Sequence, residues 1–225
     1  MPHSKSAPTP PATAAATPRS RKGVATRARL VEAGQAVFAD VGFLEARISD
    51  IATRAGLSHG SFYHYFDSKE QLFREVAEAQ EALLTAPTPD PDGGDDAPRS
   101  ELDRLRRANR SYLERYRDNG RIMGVIEEVS RYDPSVNEGR MQRQKHFAER
   151  AERAIRRLQA SGAADPEVDA EIAAVALGAM VGRFAELWLG SGWKTFDFDE
   201  AVEQLTRLWA NAIGLTDDAE VSEPG

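Results

Sequence analysis

The chain has 225 residues, a formal net charge of -7 and a hydrophobic fraction of 41%, enough apolar material for one compact unit or two small ones. It contains no cysteine, which excludes disulfides, thiol catalysis and cysteine-based metal sites and fits a cytoplasmic protein. No apolar run of about 18 residues stands out, so no transmembrane helix and no membrane partner are expected.

Residues 1–22 are mostly Pro, Ala, Thr and Ser and end in Arg19-Ser20-Arg21-Lys22. They lack the apolar core of a secretory signal, and their prolines oppose a helix, so they read as a disordered basic arm. The spacing of Leu30, Ala33, Val37 and Val41 then predicts a helix over 26–41, with Thr26 as N-cap and Gly42 as its stop. Two short helices are predicted over 48–55 and 59–65. A longer one follows, capped by Asp67 or Ser68, with Leu72, Val76, Ala79 and Leu83 on its inner face. Residues 23–84 together read as one helical domain. Residues 1–84 carry 10 Lys and Arg against 9 Asp and Glu, whereas residues 85–225 carry 19 against 27. Phosphate contact depends on local charge, so the acidic body leaves a nucleic-acid-binding N-terminal end open.

Residues 85–99 are rich in Pro, Asp and Gly and read as a flexible acidic linker. Beyond them, residues 100–215 read as a second helical domain and 216–225 as a disordered tail. Leu102, Leu105, Asn109, Tyr112, Leu113 and Tyr116 share one predicted helix, and another covers 121–131. After Pro134 a long charged helix is predicted to Gln159, with Met141, Ala148, Ala151, Ile155 and Leu158 inward and Gly162 as its stop. Arg150, Arg153, Arg156 and Arg157, interspersed with Glu149 and Glu152, read as its solvated face. A helix over 167–189, opening near Pro166, is rich in small residues and stops at Gly190-Ser191-Gly192. The last, capped by Asp197 or Asp199, carries Val202, Leu205, Leu208, Trp209, Ala212 and Ile213 on one stripe. The fold class is all-α, with about nine helices.

The densest signal is Ile48 to Phe66, ISDIATRAGLSHGSFYHYF. A helix-turn-helix needs a small residue at the helix crossing, a residue tolerant of positive φ in the turn and apolar residues toward the support helix. Ala52, Gly56, and the set Ile51, Ala55, Leu57, Phe62 and Tyr65 meet those needs, with Ser58 as N-cap of the second helix. That helix would place His59, Gly60 and Ser61 at base edges in a major groove, with Tyr63 and His64 toward the sugar-phosphate backbone and Lys69 neutralising a phosphate. The full DNA-facing set is Thr26, Arg47, Ser58, His59, Gly60, Ser61, Phe62, Tyr63, His64 and Lys69. No HExxH, CxxC, phosphate-binding glycine loop or nucleophile elbow is present, and His3, His59, His64 and His146 lack metal-ligand spacing. Neither an enzyme, a metal site nor a cofactor is expected.

The stretches Thr26-Arg27-Ala28-Arg29-Leu30, Gly42-Phe43, Asp50-Ile51-Ala52, Ala55-Gly56-Leu57-Ser58, Gly60 to Phe66 and Ser68-Lys69-Glu70 with Leu72 resemble the DNA-binding signature of TetR-family regulators over about residues 24–72. Two positions depart from it. Ala46 stands where the family commonly has a threonine that caps the second helix and contacts phosphate, a contact that falls to Arg47. His59 stands where the family commonly has a lysine. The resemblance implies a homodimer that binds a palindromic double-stranded DNA operator, represses transcription and is released by a small-molecule effector. An activator of the same fold, or a helical dimer that does not bind DNA, is the alternative.

In that family the last two long helices commonly pair across the dimer. The expected interface is Ala173, Ala176, Val181, Phe184, Val202, Leu205, Leu208 and Trp209. The stretches Gly182 to Leu189 and Phe196 to Glu200 look like members that respond to thioesters of coenzyme A. Candidate pocket residues are Tyr112, Tyr116, Met123, Ile126, Phe147, Phe184 and Trp188.

Overall fold

The computed structural model describes residues 20–87 and 100–216. The arm, the linker and the tail expected at 1–22, 85–99 and 216–225 fall almost wholly outside them. The described residues form nine α-helices and no strand. The chain divides into two compact units between Val76 and Ala77, inside a helix, rather than at the proline-rich stretch.

In the first unit, α1 (Arg21–Glu45) starts earlier than its periodicity suggests. Ser20 caps it, accepting from the Gly23 N–H at 3.1 Å. Thr26, expected as the cap, is buried inside the helix and donates its hydroxyl to the Lys22 carbonyl at 2.9 Å. Gly42 breaks the helical path as expected, at φ 80 and ψ 172. The short α2 (Ile48–Arg54) and α3 (His59–Phe62) follow, and then α4 (Lys69–Thr85). At α4 the Ser68 hydroxyl accepts from the Gln71 N–H, while the Gln71 side chain accepts from the Asp67 N–H, a reciprocal cap. Leu30, Phe38, Phe62, Phe66, Leu72 and Phe73 form the core of this unit. Gly34 belongs there because a Cβ on it would lie 2.8 Å from Leu72 Cδ2.

The second unit contains the end of α4, α5 (Glu101–Asp118), α6 (Gly120–Val129), α7 (Pro134–Ser161), α8 (Ala170–Ala185) and α9 (Phe198–Ala212). A π-helical turn, Glu186–Gly190, continues α8. α7 packs on α8, α5 on α9, and α6 on the π-turn. The caps are local and follow the sequence closely. Asp133 caps α7 with Pro134 in its first turn, Gly162 ends it at φ 81, and Asp197 caps α9. Asp169, not Pro166, starts α8.

Several inward assignments are corrected. Leu83 and Met141 are exposed, as is Ala79, while Phe73, Ala77, Gln80, Glu81 and Leu84 are the buried residues that complete the inner face of α4. Periodicity marks an apolar stripe, but the breadth of the stripe that neighbours cover is set by the packing. The segment Ala170–Gly190 is long and apolar enough to cross a membrane by length and composition alone, with a mean hydropathy of 1.6 over an 18-residue window. This segment carries Glu171, Arg183 and Glu186 and packs along α7 on one side, with 28% of that window buried.

Candidate nucleic-acid interface

The turn between α2 and α3 is built by backbone geometry. Ala55 ends α2, Gly56 takes φ 68, and the Leu57 N–H returns to the Ala52 carbonyl at 2.9 Å. Only a residue without a Cβ adopts that φ freely, so Gly56 directs the chain into α3. Ser58 caps α3, accepting from the Ser61 N–H at 3.2 Å, and the two hydroxyl oxygens lie 2.8 Å apart. α3 is shorter than expected. It passes after Phe62 into turns in which the Tyr65 and Phe66 N–H groups both donate to the Phe62 carbonyl, at 2.9 and 3.1 Å.

One side of this hairpin is core and the other is open. Phe62 is fully buried and stacks with Phe66, ring centres 5.7 Å apart. It therefore anchors α3, and its expected place in the DNA-facing set is corrected to that role. Thr26 is likewise withdrawn from a direct contact by its burial. Ser58, His59, Gly60, Tyr63 and His64 are exposed, Ser61 is half-buried, and the His59 and Tyr63 rings meet edge to face at 5.4 Å. Arg47 is exposed at the N-cap of α2, where its side chain forms no capping bond. Ala46 is buried and has no group to supply one.

Lys69 does something the sequence did not suggest. Its ammonium donates to the carbonyls of Phe43, Leu44 and Ala46, at 2.8, 3.2 and 3.0 Å, and sits over the Phe43 ring. An ammonium has three protons, so these three acceptors use its whole donor capacity. Lys69 thereby ties the carbonyl end of α1 to the start of α4 and holds the loop before α2, a role that competes with the expected phosphate contact. Lys69→Ala is expected to cost about 1–2 kcal/mol of stability, the scale of hydrogen bonds from a charged, partly exposed donor. The salt dependence of DNA binding should keep its slope, measured as log affinity against log salt. A slope reduced by about one phosphate's worth would favour the phosphate contact instead.

Elsewhere in the first unit Arg27 lies over the Phe66 ring at 4.4 Å and pairs with Glu75, joining α1 to α4 beside the hairpin.

In the second unit the pocket candidates separate into two groups. Tyr112 and Tyr116 stand one turn apart on α5, ring centres 6.1 Å apart, and Phe147 meets Tyr112 edge to face at 5.4 Å. Phe184 and Trp188 instead join Phe196 and Phe198 in a second cluster at 5.4–5.8 Å. Met123 and Ile126 are fully buried. Sequence reasoning missed a buried ionic cluster beside the tyrosines. Arg143 bonds Glu81 at 3.0 Å and Glu127 at 3.4 Å, and Arg140 reaches the other Glu127 oxygen at 2.5 Å. Burial pushes the Glu81 carboxyl above its usual range in spite of Arg143. Burial opposes the Arg143 cation, but the carboxylates hold it charged. Nothing in a helix full of arginines marks Arg143 as the one turned inward.

Of the expected dimer face, Ala176 and Leu208 are exposed, Ala173 and Phe184 are half-buried, and Val181, Val202, Leu205 and Trp209 are buried within the single chain. The apolar surface left open runs along α8 as Ile172 (69% exposed), Val175 (56%), Ala176 and Ala179, with Leu208 (52%) on α9.

Residues 30–76 match the family model described as bacterial regulatory proteins, tetR family. The chain is 46% identical over 55 residues to the HTH-type transcriptional regulator YdgC of Bacillus subtilis, covering 24% of this chain and 28% of that protein. It is 44% identical over 50 residues to the HTH-type transcriptional repressor KstR2 of Mycolicibacterium smegmatis, covering 22% and 24%. The likeness thus spans about a quarter of each curated relative. In fold, the chain is similar to SmeT, the repressor of the Stenotrophomonas maltophilia multidrug efflux pump SmeDEF. The TM-score is 0.63 at 20% identity, over 88% of this chain and 94% of that one. Residues 30–76, which hold this helix-turn-helix, are thus similar to the DNA-binding segment of tetR-family regulatory proteins.

Proposed function

We propose that this protein is a repressor that binds a palindromic DNA operator as a homodimer in the cytoplasm and is released by a small-molecule effector. The observation that carries the reading is the open leading end of α3: His59, Gly60 and Ser61 are raised on a hairpin whose opposite side is packed by Phe62 and Phe66. Such an end fits a major groove, where side chains reach base edges and backbone approaches phosphate. Two-fold symmetry gives the operator its palindrome, with half-sites about 34–36 Å or a multiple apart. The α8 stripe of Ile172, Val175, Ala176 and Ala179 supports self-association, because small and β-branched residues at i, i+3, i+4 and i+7 let a second helix approach closely. The mention of a repressor in the names of KstR2 and SmeT supports the sign of regulation. Release follows from linkage: an effector that prefers the conformation unfit for DNA weakens operator binding by the factor by which operator weakens effector binding.

The test is selection of bound sequences from random duplex DNA, followed by affinity measurements on the winning site. Gly60→Ala separates folding from recognition, since a Cβ there meets nothing within 4 Å. It is expected to leave the unfolding midpoint unchanged or slightly raised and to weaken operator binding at least about tenfold through loss of close approach. The double variant Ile172→Glu with Val175→Glu should sediment as a monomer and lose the operator. Selection of no palindromic sequence at physiological salt would remove the reading altogether.

A further inference from the structure

Sequence is read in a major groove mostly by long polar side chains: Arg and Lys on guanine, Asn and Gln on adenine, carboxylates on cytosine. From Leu57 to Phe66 this chain carries none of them. α3 is also only four residues long, so few peptide dipoles sum along it and recognition falls on its side chains. Of those, Gly60 has nothing to offer a base edge beyond backbone. The Ser61 hydroxyl is half-buried and turned back to Ser58, oxygen to oxygen at 2.8 Å, within the capping arrangement. Phe62 is buried against Phe66.

His59 remains. It is exposed, and among the described residues its ring nitrogens meet no hydrogen-bond partner. Its one ring contact is with Tyr63, a turn further on, whose edge-to-face approach at 5.4 Å limits the swing of the imidazole. An imidazole presents at least one N–H donor, and two when charged. Guanine sets two acceptors, N7 and O6, side by side on its major-groove edge. Adenine flanks its N7 with an amino donor, and cytosine presents a donor alone, so both oppose an incoming N–H. Guanine is therefore the base that suits the one polar side chain free to reach out from α3.

We infer that His59 is the specificity-determining side chain of the hairpin and that it reads one guanine in each operator half-site, with Tyr63 as its positioning residue and Ser61 confined to the cap. This assignment rests on the reading that α3 enters the major groove.

The experiment is selection from random duplex DNA with the full chain, repeated with His59→Gln, His59→Ala and Ser61→Ala. The unchanged protein should prefer guanine at one position of each half-site by about tenfold, the ratio carried by one ordinary hydrogen bond. His59→Gln should prefer adenine at that position, because its amide matches the adenine N6 and N7. His59→Ala should accept any base there and keep the rest of the palindrome, and Ser61→Ala should keep the guanine. In the selected operator, 7-deazaguanine at that position replaces the N7 acceptor with C–H. It should weaken the unchanged protein about tenfold and His59→Ala less than about twofold, a non-additivity that marks direct contact. His59→Ala should unfold at the original temperature, since the ring is exposed and its nitrogens bond nothing, so a changed preference cannot be assigned to a damaged fold. The assignment is overturned if the His59 variants select the same bases as the unchanged protein at every position, if 7-deazaguanine is tolerated, or if Ser61→Ala abolishes the guanine preference. A palindrome that ignores His59 sinks this assignment and leaves the operator-binding reading standing; selection of no palindrome at all sinks both.

Discussion

Arg143→Met is expected to cost the second unit about 3–5 kcal/mol, the usual effect of removing one partner from a buried ion pair. The reason lies in what remains. The side chains of Glu81 and Glu127 are only 11% and 9% exposed. Without the guanidinium they share a single cation, Arg140, which touches Glu127 and sits at the edge of the cluster. Each carboxylate must then take up a proton or draw in water, and both options weaken the junction of α4, α6 and α7. The direct measure is chemical denaturation monitored by tryptophan fluorescence, since all three tryptophans lie in this unit. A companion variant, with Arg143→Met, Glu81→Leu and Glu127→Met combined, should recover most of the loss, because a buried ion pair adds little over a well-packed apolar replacement. A loss below about 1 kcal/mol for the single variant would mean that the carboxylates are already reached by solvent.

Gly120→Ala is the second large effect. Gly120 opens α6, and a Cβ built on it would stand 2.4 Å from the Leu189 carbonyl oxygen in the π-turn. That oxygen belongs to backbone, so no side-chain rotation relieves the clash, and α6 must move away from the turn. Overpacking of this kind costs about 1–3 kcal/mol, with the upper end expected where the obstacle is rigid. Gly139→Ala is the matched control. It lies inside α7, where a Cβ meets nothing within 4 Å, and should be neutral or stabilising by about 0.5–1 kcal/mol. Comparing the two unfolding midpoints isolates the steric effect from the general gain of replacing glycine in a helix. Equal midpoints would show that α6 and the π-turn are not in close contact.

Much of the DNA-binding hairpin could be read without coordinates because its determinants are local. Gly56 takes positive φ, Ser58 caps the helix that follows, and Gly42 breaks α1. Each of these depends on neighbours within a few residues in the chain, and the same holds for Asp133, Gly162 and Asp197 at the ends of the later helices. The side chains that a sequence leaves undecided are those whose surroundings come from distant segments. Lys69 stands in the sequence as a free charge, whereas three carbonyls at the end of α1 occupy it in the fold. Val202 and Leu205 belong to one apolar stripe in the sequence, and α5 packs on α9 over part of it. Arg143 looked like any other cation on a charged helix, and only packing turned it toward Glu81 and Glu127. The sequence by itself determined the helices, most of their caps and the turn that raises α3, since these follow from backbone preference and short-range hydrogen bonding. Only the tertiary structure decided which apolar stripe is covered and which charge is buried, because those free energies arise between segments that the chain brings together from far apart.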